Sequence, residues 1–63
     1  MYCDEKLNTR LASRRGASVE IQIDQIGTRR GNVIDFNESY IILKDADKEV
    51  YFDWLYIISI QFL

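Results

Sequence analysis

There is no histidine and no proline in this chain of 63 residues, and Cys3 is its only cysteine. A single cysteine excludes an internal disulfide, and without histidine no Cys/His zinc site can be assembled. No run approaches the roughly 20 apolar residues of a membrane helix. The segment from Met1 to Arg15 lacks the apolar stretch of a signal peptide. A soluble, cytoplasmic protein without contact to a membrane is therefore expected, and a lone thiol fits a reducing compartment. Low-complexity tracts and internal repeats are missing too, so the length indicates one domain over residues 1–63. A domain this small buries little surface, and its usual supports are disulfides, a metal or oligomerisation. With the first closed and the second lacking any motif, association with other chains is the support that remains.

Net charge is −2, which is not the signature of a nucleic-acid binder, but the charges are unevenly placed. Lys6, Arg10, Arg14, Arg15, Arg29 and Arg30 outweigh Asp4, Glu5, Glu20 and Asp24 in residues 1–31. Lys44 and Lys48 face Asp35, Glu38, Asp45, Asp47, Glu49 and Asp53 in residues 32–63, so the halves carry +2 and −4. All five arginines fall in the first half, at two places.

Residues 4 to about 14 read as a helix. Asp4 suits the N-cap, Glu5 the positive end of the dipole, and Arg14 and Arg15 the negative end. Cys3, Leu7 and Leu11, spaced by four, form one narrow apolar stripe, and Gly16 is a natural stop. A helix so short is unstable alone and must lie on something, such as the open end of a barrel. From Ser18 the period changes to two. Val19, Ile21 and Ile23 alternate with Glu20, Gln22 and Asp24, a strand with one wet face. Gly27 to Gly31 reads as a turn framed by glycines, and a second strand runs from about Asn32 to Phe36. Asn37-Glu38-Ser39 turns the chain into a third strand, Tyr40 to Lys44. Asp45 to Lys48 turns it into a fourth, Val50 to Phe52. A kink at Asp53-Trp54-Leu55 precedes a fifth, Tyr56 to Phe62. The expectation is a mainly β domain: five short strands in a small bent barrel behind one helix. The apolar residues from Tyr51 to Phe62 exceed what so small an interior holds. An exposed apolar edge invites pairing with another chain, and a fourth-to-fifth strand contact between copies is head-to-tail and able to close a ring.

Catalytic chemistry finds no constellation here. Asp35 and Glu38 flank a turn with no length to build a pocket around them, and Cys3 has no histidine to act as its base. The acids Asp45, Asp47 and Glu49 do not complete a calcium loop. No enzyme, cofactor or metal is expected. Each remaining feature admits two readings. Arg14 and Arg15 complement the helix dipole or contact phosphates. Arg29 and Arg30 decorate an exposed turn or contact phosphates on one face. Trp54 belongs to a core or subunit interface, or stacks on a base.

The segment Gly31-Asn32-Val33-Ile34-Asp35-Phe36-Asn37, followed by Ile41-Ile42-Leu43-Lys44, resembles the Sm-like superfamily. Within it the chain is most similar to the Hfq family of bacterial RNA chaperones, over roughly Asn8 to Ile60. The resemblance implies an SH3-like five-strand barrel assembled as a homo-oligomeric ring, a hexamer in preference to a heptamer. It implies RNA as the partner and a role as RNA chaperone or riboregulator. Arg14 and Arg15, helped by Arg10, match the family's arginine-bearing rim. Elsewhere the chain departs from the family. Where the family has Tyr-Lys-His lining a uridine pocket, this chain has Phe52, Asp53 and Trp54, which puts a carboxylate in place of an ammonium. The uracil-stacking aromatic falls on Ser39 and the adenine-side aromatic on Gln22. The expected RNA contacts are therefore Arg10, Arg14, Arg15, Arg29, Arg30 and Trp54. A protein-interaction or scaffolding module on a related small barrel, without RNA, is the alternative. The acidic second half and the aromatic fourth and fifth strands favour it.

Overall fold

Asp4 starts the helix as expected. Its carboxylate accepts from the Leu7 backbone N–H at 2.8 Å, and Glu5 sits in the first turn. In the computed structural model, which describes residues 1–63, helix α1 spans Glu5–Ala12 and ends at a Ser13 cap, short of Arg14. Gly16 then adopts φ +83°, a left-handed conformation that a glycine enters without strain. Leu7 and Leu11 are buried, and Cys3 packs beside them from outside the helix.

Strand β1 is Ser18–Ile23, with Val19, Ile21 and Ile23 buried on one face. Strand β2 spans Gly27–Phe36, which corrects the reading of Gly27 to Gly31 as a turn. Those residues pair with β1 in continuous register, from Ile23 opposite Gly27 to Ser18 opposite Asn32. Asp24, Gln25 and Ile26 make the reversal, with Gln25 at φ +65° and Gly27 at φ +105°. Gly31 has a different task from Gly27. A Cβ there would lie 2.9 Å from the Lys44 carbonyl oxygen and 3.0 Å from Leu43 Cβ. The missing side chain lets β2 press against the strand that follows.

That strand, β3, spans Tyr40–Asp45, and β4 spans Lys48–Asp53. The Asn37 side chain builds the turn before β3, accepting from the backbone N–H of Ser39 at 2.8 Å and of Tyr40 at 2.9 Å. A 3-10 turn, Trp54–Tyr56, stands where a kink was expected, and the Asp53 carboxylate caps it through the Leu55 N–H. Strand β5, Ile57–Phe62, returns beside β1.

All five strands are antiparallel in one sheet of order β4-β3-β2-β1-β5. Strand β2 passes from one partner to the other along its length. Residues up to Asn32 pair with β1, and those from Asn32 pair with β3, with a register shift between Val33 and Asp35 that bends it. Where β1 leaves off, the linker after α1 takes its place. Gly16 N–H donates to the Val33 carbonyl, and Val33 N–H donates to the Ala17 carbonyl. Leu7 and Leu11 join the inner residues of the sheet in one core with Trp54 and Ile57, and no polar or charged residue is buried.

Replacing Gly31 by alanine should cost about 1–3 kcal/mol, because the added methyl meets backbone rather than a movable side chain. Urea unfolding followed by circular dichroism measures this. An unchanged midpoint would show that β2 and β3 do not rely on that approach.

Candidate nucleic-acid interface

The arginines expected at a rim are placed by the end of α1 and the turn behind it. Arg10 occupies the last turn of the helix, and Arg14 and Arg15 follow the Ser13 cap. Opposite them is the end of β5. Phe62 pairs with Val19, which points inward, so its ring lies against the core below the helix. The Arg10 guanidinium carbon sits 4.8 Å from the centre of that ring, and the Arg14 carbon 5.0 Å from the same centre. Both arginines are exposed, and neither has a carboxylate within ion-pair distance.

Arg15 is held differently. It lies 5.1 Å over the Phe36 ring, and its Nη1 donates to Asp35 Oδ1 at 3.1 Å and, at 3.4 Å, to the Ile34 carbonyl. Asp35 Oδ1 also accepts from the Phe36 backbone N–H at 2.8 Å. That backbone hydrogen bond, then the one from Arg15, holds the Asp35 carboxyl below its usual range.

Arg29 and Arg30 lie in a strand, so they point to opposite sides of the sheet rather than together from a turn. Arg30 shares its side with its partner Glu20, with Nε 3.6 Å from a carboxylate oxygen. Arg29 is paired with Ile21 and donates from Nη1 to the Thr28 carbonyl at 2.8 Å. Both are exposed.

Trp54 leaves the set of candidate base-stacking residues. Its ring is 3% exposed within the core, and Nε1 donates to the Asn37 carbonyl at 2.8 Å. Its backbone N–H donates to Ser39, so this residue ties the β2–β3 turn to the β4–β5 connection. Asp53 serves as the cap of the 3-10 turn. Burial, with the Asp4 carboxylate adding to it, pushes the Cys3 thiol up, away from a reactive thiolate.

Two residues of the cluster carry no mark in the sequence. Phe36 reads there as the end of the second strand, and Phe62 as one more strand aromatic. Only the register of β5 on β1 and the placement of the helix end make them platforms for guanidinium groups.

A second surface is apolar. Tyr51 of β4, Leu55 and Tyr56 of the 3-10 turn and Ile58 of β5 are more than half exposed. Inward-facing residues of the outer strands are also incompletely covered: Phe52 on β4, and Ile60 and Phe62 on β5. Strands β4 and β5 each have one neighbour, and their outer edges carry no sheet partner.

Protein-family models, characterised proteins and solved structures give no match to this chain. No helix is long and apolar enough to cross a membrane.

Because the Asp35 pKa is depressed on folding, its hydrogen bonds add stability above the ordinary carboxylate range and lose it as pH falls through the lowered value. Asp35→Asn should therefore flatten the decline in melting temperature below about pH 4. Melting curves of the two proteins across that range provide the check, and parallel declines would refute the contribution.

Proposed function

We propose that this chain is a subunit of an Sm-like ring that binds RNA through its phosphates and catalyses no reaction. The observation that carries the RNA reading is the pair Arg10 and Arg14, exposed, without acidic partners, and gathered on one aromatic ring. A guanidinium group is a strong, always charged phosphate ligand. Repetition around a ring multiplies such a pair into a band of positive potential despite the net charge of −2. Arg15 supplies a further cation just past the same helix end, and Arg29 and Arg30, on opposite sides of β2, supply two more elsewhere on the surface.

The ring reading is supported by the sheet order. With β4 and β5 at opposite outer edges, β4 of one copy pairs with β5 of the next, and the contact repeats head-to-tail. Such pairing covers Phe52 and Ile60 and uses the apolar surface around Tyr51 and Ile58. Six subunits in preference to seven, a cytoplasmic setting and a role as RNA chaperone or riboregulator follow from the resemblance to the Hfq family. The replaced uridine-pocket residues imply a sequence preference unlike that family's.

A second reading, a protein-interaction or scaffolding module without RNA, draws on the same exposed apolar residues, which also suit a different protein partner.

Non-denaturing mass spectrometry of the purified chain should give six or seven copies, and a monomer would sink the ring. Fluorescence anisotropy with single-stranded RNA across a salt series tests the second half. Replacing Arg10 and Arg14 together by glutamine should weaken binding and reduce the salt slope by about 0.7 for each phosphate that is no longer neutralised. Unchanged affinity and slope would reject the arginine surface.

A further inference from the structure

Five arginines are exposed, but they differ in how many of their N–H donors are already engaged. Arg15 gives Nη1 to Asp35 and Ile34, Arg29 gives Nη1 to Thr28, and Arg30 sets Nε against Glu20. The side chains of Arg10 and Arg14 donate to nothing within the chain. Their only side-chain partner is the face of Phe62. A guanidinium held over a ring by cation–π attraction gives none of its N–H donors to a hydrogen-bond acceptor, so the contact favours one position while leaving the donors available.

Two cations within about 5 Å of one ring centre also repel each other. Lys6, one turn before Arg10 on α1, adds a positive charge and its neighbour Glu5 a negative one, and both share a shallow depression with Arg10. An anion that binds both guanidinium groups relieves the repulsion, and it does so more strongly the higher its charge. A phosphate inside a nucleic-acid strand carries one negative charge. A terminal phosphomonoester carries close to two at neutral pH and presents three oxygens.

We infer that Arg10 and Arg14, stacked on Phe62, form a site for the terminal phosphomonoester of an RNA strand. This rests on the RNA-binding reading above and adds to it a recognition of strand ends. Arg15 lies outside this site because its Nη1 is engaged by Asp35 and the Ile34 carbonyl, over a different ring, Phe36.

The test uses one RNA sequence in three forms: 5′-phosphorylated, 3′-phosphorylated, and with hydroxyls at both ends. Anisotropy titrations against the intact protein should show at least one phosphorylated form binding about tenfold more tightly than the hydroxyl form. Which end is preferred identifies the strand terminus recognised. Arg10→Gln, Arg14→Gln and Phe62→Leu should each abolish the difference, the last keeping an apolar side chain in place of the ring. Lys48→Gln, at the start of β4, should retain it. The preference should also shrink below about pH 6, where the phosphomonoester loses its second charge and arginine does not titrate. Equal binding of all three forms overturns the inference and leaves the RNA-binding reading standing. A preference that survives any of the three substitutions overturns the assigned site. If none of the forms binds, the RNA-binding reading fails and the inference fails with it.

Discussion

Only the turn Trp54–Tyr56 separates β4 from β5, yet these strands lie at opposite ends of the sheet. In a flat five-stranded sheet the outer strands would be about 19 Å apart, at the usual spacing between neighbours. The span from Asp53 to Ile57 reaches at most about 14 Å when fully extended, and a 3-10 turn is much shorter. The sheet therefore has to curl until its ends approach. Its inner face gathers the core, which Leu7 and Leu11 of α1 join. The close approach at Gly31 and the register shift beyond Val33 are how a single strand accommodates the curl. The same geometry leaves two outer strands whose inward residues are incompletely covered, so a small interior and an unfinished boundary have one cause.

Much of this was legible from the order of residues, because local physics set it. Asp4, Glu5 and the Leu7–Leu11 stripe specified the helix. The alternation of Val19, Ile21 and Ile23 specified β1 and its buried face. Asn37 marked a turn because its side chain can bond the backbone two and three residues on. The misreading of Gly27 to Gly31 shows where local reasoning stops. Two glycines four residues apart looked alike, but one serves chain reversal and the other serves contact with a strand twelve residues away. Nothing in the residues between them distinguishes conformational need from steric need. Trp54 stands at a kink, and the local pattern does not decide between its two readings, a core residue or a base-stacking platform. Its burial depends on the Asn37 carbonyl, a partner seventeen residues distant. The arginine cluster was visible as a composition but not as an arrangement, since the registry of β5 decides which aromatic meets which cation.

The distribution of charge follows the same logic of local against distant pairing. Overall the chain is acidic, but three of its ten carboxylates are committed to backbone tasks. Asp4 and Asp53 cap turns of helix, and Asp35 holds both a backbone N–H and Arg15. Acids used as caps stand where the chain needs them for folding rather than where they would neutralise arginines. Net charge is thus a poor guide to the potential that a ligand meets at the surface.

The placement of Trp54 has a consequence for spectroscopy. It is the only tryptophan in the chain, and its indole lies in an apolar surround with its N–H bonded to a carbonyl. Its emission therefore reports on one thing, the integrity of the junction between two turns that closes the interior. A red shift marks water entering that junction, whereas events confined to the helix end or the outer strands leave the emission maximum in place. The chain carries a built-in fluorophore for its own unfolding, one that is insulated from its outer surfaces.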